Sequence, residues 1–93
     1  MEFDNHKLIV KLRDNPNLRP VEKLVAIIIA SYRNGTTGDC FPNQVRLSAA
    51  TQLSREHVNR MIKQLKTKKI LIIERLKVKS SRRVVRNYVF LCE

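Results

Sequence analysis

Histidine is almost missing from this chain, cysteine is sparse, and no long hydrophobic run occurs; each absence removes a class of function. The 93 residues hold two histidines, His6 and His57, and two cysteines, Cys40 and Cys92. With no CxxC pair and no clustered histidines, a zinc site is not expected, and both cysteines read as free, partly buried thiols. No Ser/His/Asp set, phosphate-cradling glycine loop or carboxylate pair can be read from the spacing, so catalysis finds no support. Nothing points to a cofactor or a small-molecule effector. No apolar stretch approaches the roughly eighteen residues of a membrane span, and the N-terminus has no secretion-signal pattern. Aromatic residues number five, and Tyr32, Phe41, Tyr88 and Phe90 sit in core-like patterns that leave no platform for stacking bases.

What the chain has is positive charge. Nineteen Lys and Arg stand against eight Asp and Glu, a formal net of +11. The excess is lopsided: residues 1–53 carry seven basic and five acidic side chains, residues 54–93 twelve and three. A polyanionic partner touching only the second half is the economical explanation. A membrane surface fits less well, because the basic segment lacks an apolar face to insert into lipid.

Taken in order, the first fifteen residues contain an apolar patch, Leu8, Ile9, Val10 and Leu12. Alternation with Lys7, Lys11 and Arg13 permits a strand. A helix capped by Asp4 or Asn5 and ending before Pro16 puts Leu8, Ile9 and Leu12 on one face, and is preferred. Pro20 then suits the first turn of a second helix, expected to run to a stop at Asn34-Gly35. Leu24, Val25, Ile27, Ile28, Ile29 and Tyr32 cover most of its circumference, which predicts a helix buried on nearly all sides. Cys40-Phe41, before Pro42, leaves room for a very short strand.

A short amphipathic helix follows at Gln44 to Ala50, with Val45, Leu47 and Ala50 apolar. A tight turn holds Leu53, and Ser54 is the natural N-cap of the next helix, with Glu56 suiting its positive end. Val58, Ile62 and Leu65 recur at helical spacing as the inward face, with Met61 beside them. The outward face carries Arg55, Asn59, Arg60, Lys63 and Lys66, with His57 near its edge. Ile70 to Val78 and Val84 to Leu91 read as an antiparallel hairpin, with Ile70, Ile72, Leu76 and Val78 as the inner face of the first strand. Its tip, Lys77 to Arg83, is basic.

Helix, tight turn, helix and basic hairpin in this order describe a winged helix-turn-helix: an α+β, mainly α fold with a three-helix core, a C-terminal β-hairpin wing and a short N-terminal helix or arm. We assign residues 1–17 to the arm and 18–93 to the domain. The stretch LRPVEKLVAIIIASYRNGTTGDCFPNQVRLSAATQLSREHVNRMIKQLKTKKILI, within residues 18–76, resembles the DNA-binding winged-helix domains of prokaryotic and phage regulators and replication proteins. Two departures stand out. Gln52 occupies the turn position, and Lys69 the position after the recognition helix, where that family usually has glycine. Both positions commonly take a left-handed backbone, at a cost of about 1 kcal/mol or more for other residues.

The resemblance implies duplex DNA as partner, with residues 54–67 in the major groove and the wing along the backbone. Base-reading candidates are Arg55, His57, Asn59, Arg60 and Lys63; an asparagine amide suits adenine and an arginine fork suits guanine. Backbone candidates are Asn43, Gln44, Ser54 and Lys66, with Lys77, Lys79, Ser80, Ser81, Arg82 and Arg83 of the wing. The expected role is a small transcriptional regulator in the cytoplasm, associated with the nucleoid. A phage or plasmid replication or recombination accessory protein is the alternative; a winged helix used for protein or RNA contacts is a third reading. One recognition helix reads few base pairs, so a homodimer or side-by-side copies are expected. Leu8, Ile9, Val10 and Leu12 are the candidate contact.

Overall fold

The computed structural model describes residues 3–77 and 84–92, and the hairpin tip at 78–83 lies outside them. In chain order the described residues form α1 (Asn5–Arg13), α2 (Pro20–Ser31), α3 (Gln44–Thr51), α4 (Arg55–Thr67), β1 (Leu71–Lys77) and β2 (Val84–Phe90). The winged helix-turn-helix order is present: α2 packs on α1, α3 and α4, and an antiparallel β1–β2 pair follows α4.

Asp4 caps α1, its carboxylate accepting the Lys7 amide at 3.0 Å. This helix carries the first correction. Leu8 and Leu12 are fully buried in the common core, and Ile9 packs against its edge. Full burial is worth about 1.5–3 kcal/mol per leucine, so the face is spent inside the chain. Leu8 and Leu12 are thereby withdrawn from the expected dimer contact, of which Ile9 and Val10 stay half-buried. Phe3 extends the tie to the loop after α2, its amide meeting the Gly35 carbonyl and its ring lying 5.1 Å from the Arg33 guanidinium.

The second helix starts at Pro20 as expected but ends at Ser31, not at Asn34. Its last turn tightens, with Tyr32 N–H bonding Ile29 and Arg33 N–H bonding Ala30, both at 3.1 Å. Asn34 then uses its side chain on the amides of Thr36 and Thr37, at 2.8 and 3.1 Å. An asparagine that offers the backbone this local alternative competes with helix continuation. Burial is also narrower than expected: Val25, Ala26, Ile29 and Ala30 are enclosed, while Leu24 and Tyr32 stay nearly two-fifths exposed. The first turn is fixed by Glu22, only 3% exposed. It accepts the Arg19 amide at 2.8 Å and the Lys68 ammonium at 2.6 Å, joining α2 to the exit of α4. Burial alone would raise this carboxyl. The Arg19 amide and the Lys68 ammonium outweigh it and hold its pKa below the ordinary value.

Cys40 and Phe41 form no strand. Cys40 still runs beside β2, its carbonyl accepting the Tyr88 amide at 3.0 Å and its amide bonding Asn87 Oδ1 at 2.8 Å. Both cysteines are free, and burial lifts the Cys40 thiol to about 11. The inner face of β1 is also corrected. Leu71 is fully buried and Ile73 packs on the core, whereas Ile72 and Leu76 are 44% and 39% exposed. The phase is set by the exit of α4, where the backbone turns left-handed at Lys69 (φ 58°). Ile70 N–H meets the Leu65 carbonyl at 2.9 Å and Lys69 N–H the Lys66 carbonyl at 3.0 Å. These are the two bonds of a Schellman stop, and the chain leaves it with Ile70 and Leu71 both in the core cluster that holds Leu65. Val78, the last expected inner residue, lies outside the described residues.

Candidate nucleic-acid interface

The turn between α3 and α4 presents the second helix. Gln52 takes the left-handed conformation (φ 63°, ψ 22°) and returns its amide to the Ser48 carbonyl. The Ser48 hydroxyl bonds the Leu53 carbonyl, and the Thr51 hydroxyl bonds the Leu47 carbonyl at 2.7 Å. Leu53 packs into the corner against the core. Ser54 then caps α4 by accepting the His57 amide at 3.1 Å, and Asn43 does the same for α3 with the Arg46 amide at 2.8 Å. Val58, Ile62 and Leu65 are buried as expected, so the opposite side of α4 is open.

Positions four and then three or four residues apart share one stripe of a helix. Arg55, Asn59, Lys63 and Lys66 make such a stripe, and all four are exposed. Gln44, near the start of α3, donates its amide to Asn59 Oδ1 and so joins a backbone candidate to a base-reading candidate. Arg60 is exposed one step further round. His57 departs from the set. It is half-buried and lines a cleft of about 530 Å³ with Pro20, Glu22, Met61 and Lys68, on the α2 side of the helix. Among the described residues no ion pair engages Arg55, Arg60, Lys63 or Lys66. Lys77 is exposed at the end of β1; Lys79, Ser80, Ser81, Arg82 and Arg83 lie outside the described residues.

Two cations escaped the sequence reading. The side of the hairpin that turns towards α4 runs Leu71, Ile73, Arg75, Lys77 on β1 and Phe90, Tyr88, Arg86, Val84 on β2. It is apolar near the core and basic further out. Arg75 and Arg86 line a groove of about 300 Å³ together with Asn59, Lys63 and Lys66. Period-two alternation counted from Leu71 would have found Arg75. Counting from Ile70 put it on the wrong side.

An exposed, capped helix, held by a tight turn and flanked by a two-stranded wing, defines the winged helix-turn-helix class of nucleic-acid-binding domains. A family model for the helix-turn-helix domain matches residues 17–71, more than half of the chain, and the protein belongs to that family. No curated protein and no solved structure matches. Helix-turn-helix domains are a DNA-binding class, and the matched stretch ends just as β1 begins. Among the described residues no helix is long and apolar enough to cross a membrane, and no cluster of three metal-ligating side chains occurs.

Proposed function

We propose that the protein is a sequence-specific binder of double-stranded DNA that acts as a small transcriptional regulator, with α4 in the major groove. The stripe Arg55, Asn59, Lys63 and Lys66 carries this reading: it is exposed, without acidic partners among the described residues, and held next to the start of α3 by the Gln44–Asn59 bond. Asn59 and Arg55 meet base edges. Asn43, Gln44, Ser54, Lys66 and Lys77 hold phosphates, as do Lys79, Ser80, Ser81, Arg82 and Arg83 of the tip. Arg60 and Lys63 serve on either side of that division. His57 takes no part, because its side chain faces α2.

Selection of bound sites from random duplexes, located afterwards in the source genome, tests the role. Sites in promoters support regulation; repeats at an origin replace it with replication. Titration against salt tests the binding itself. If about six phosphates are neutralised, log affinity falls with log salt at a slope of about −5. A slope near zero on duplex DNA removes the proposal.

A further inference from the structure

The hairpin holds a pair of like charges where a sheet tolerates them least. Arg75 stands directly opposite Arg86 in the β1–β2 register. Two residues along, Tyr88 points its amide away from β1, to the Cys40 carbonyl. Ile73–Tyr88 and Arg75–Arg86 are therefore positions without mutual backbone bonds, where the two strands bring side chains closest. Opposed like charges there destabilise a sheet. Lys77 adds a third cation on the same face, and Lys63 and Lys66 line the groove from α4. The one acid of β1, Glu74, has the opposite parity and pairs with Asn87 on the other face. Arg86 follows Tyr88 on the same face of β2, and Tyr88 is buried at 1% exposure. Four cations thus line the groove beside α4, Lys77 lines a second groove with the same two arginines, and neither has a carboxylate among its lining residues.

We infer that Arg75 and Arg86 form a phosphate clamp on the strand bodies, gripping the DNA backbone beside the major groove that α4 enters. The inference rests on the DNA-binding reading above and adds a contact that neither the helix nor the hairpin tip supplies. The guanidinium fork suits the ligand, since it meets two phosphate oxygens at once where an ammonium meets one. The clamp carries no sequence information. Its effect is to fix how deeply and at what angle α4 sits, so that Asn59, which lines the same groove, reaches the same base each time.

The double variant Arg75→Gln with Arg86→Gln tests it, with Arg75→Lys with Arg86→Lys as the charge-conserving control. Expected are a loss of affinity for unrelated duplex, a loss at least as large for the selected one, and a salt slope shallower by about 2. The free variant melts at a higher temperature than wild type at low salt, because the repulsion is gone. The lysine pair keeps the slope but loses part of the affinity. Unchanged affinity and slope in a folded variant overturn the clamp, as does a loss confined to one sequence or a lower melting temperature. Sulfate at fixed ionic strength separates the two proposals. It should raise the melting temperature of wild type more than that of the glutamine pair. If it does and wild type binds no duplex, the anion site stands and the DNA reading falls; an equal rise in both removes the clamp.

Discussion

Gln52 and Lys69 offer a direct measurement of what the helix-turn-helix geometry costs this chain. Both hold a left-handed backbone, φ 63° and 58°, that a residue with a Cβ reaches at about 1–2 kcal/mol. Glycine would adopt it without that strain, but loses about 0.5–1 kcal/mol through its freer unfolded chain. The difference predicts that Gln52→Gly stabilises the protein by roughly 0.5–1 kcal/mol, against the usual direction of a glycine substitution. For a domain of this size that raises the melting temperature by about 2–8 °C. Gln52 is the cleaner site, being exposed and uncharged, and its backbone bond to Ser48 survives the change. Gln52→Ala keeps the Cβ and therefore the strain, so it should gain nothing.

Lys69→Gly should stabilise to a similar degree, since the bonds to Lys66 and Leu65 are made by backbone amides that glycine retains. The two positions lie at opposite ends of α4, so their effects should add within about 0.3–0.5 kcal/mol. Urea unfolding gives the readout: a higher midpoint with an unchanged slope. If Gln52→Gly destabilises, or Gln52→Ala gains as much as Gly, the left-handed turn is not what limits stability and the reasoning fails.

Three further outcomes follow from the same contacts. Asn59→Ala should weaken binding to a selected site by roughly 1–3 kcal/mol and leave unrelated duplex almost unchanged; Gln44→Ala should repeat part of that loss, and a double-mutant cycle should show the two coupled. The Glu22 carboxyl titrates below its ordinary value, so its contribution is fully present above the unfolded pKa and is lost as pH falls through the lower folded one; Glu22→Gln should flatten the acid limb of the stability curve, and an unchanged limb would place the acid sensitivity elsewhere. Leu8→Asp buries a charge in the α1–α2 contact and should unfold or severely destabilise the chain; a folded protein altered only in sedimentation would restore the dimer face.

The helices were legible because their signals are local. Ser54 and Pro20 mark starts by chemistry that needs no tertiary partner, and Val58, Ile62 and Leu65 repeat at a spacing only a helix brings together. The family resemblance marks Gln52 and Lys69 as positions that commonly take a left-handed backbone, and both take it. The parity of β1 was not legible, because LIIERLK has apolar residues at both odd and even places. What decides it is the stop at the end of α4, which buries Ile70 and Leu71 in succession. The side taken by His57 depends on where the start of α2 lies, and the Gln44–Asn59 bond on the angle between two helices. Neither leaves a trace in spacing. The α1 face was ambiguous for a different reason: an apolar patch looks the same whether it meets its own chain or another.

The features that lower stability in this fold sit at the two ends of α4 and on the hairpin that follows it. Strain sits at the α3–α4 turn and at the exit of α4, and charge repulsion sits on the β1–β2 face beside them. The repulsion lies in the groove lined by Asn59, Lys63, Lys66, Arg75 and Arg86, while the two strained residues stand at the turn into α4 and at its exit. Other contacts show the opposite balance, with α1 sealed onto α2 and Glu22 satisfied by Arg19 and Lys68. A surface that is uncomfortable alone and becomes neutralised by a polyanion gains differential affinity from that discomfort, because the bound state relieves repulsion that the free state bears. The same logic makes the glycine and glutamine variants informative together. Strain at Gln52 serves geometry and should be removable with binding intact, whereas repulsion at Arg75 and Arg86 belongs to the proposed clamp and should not.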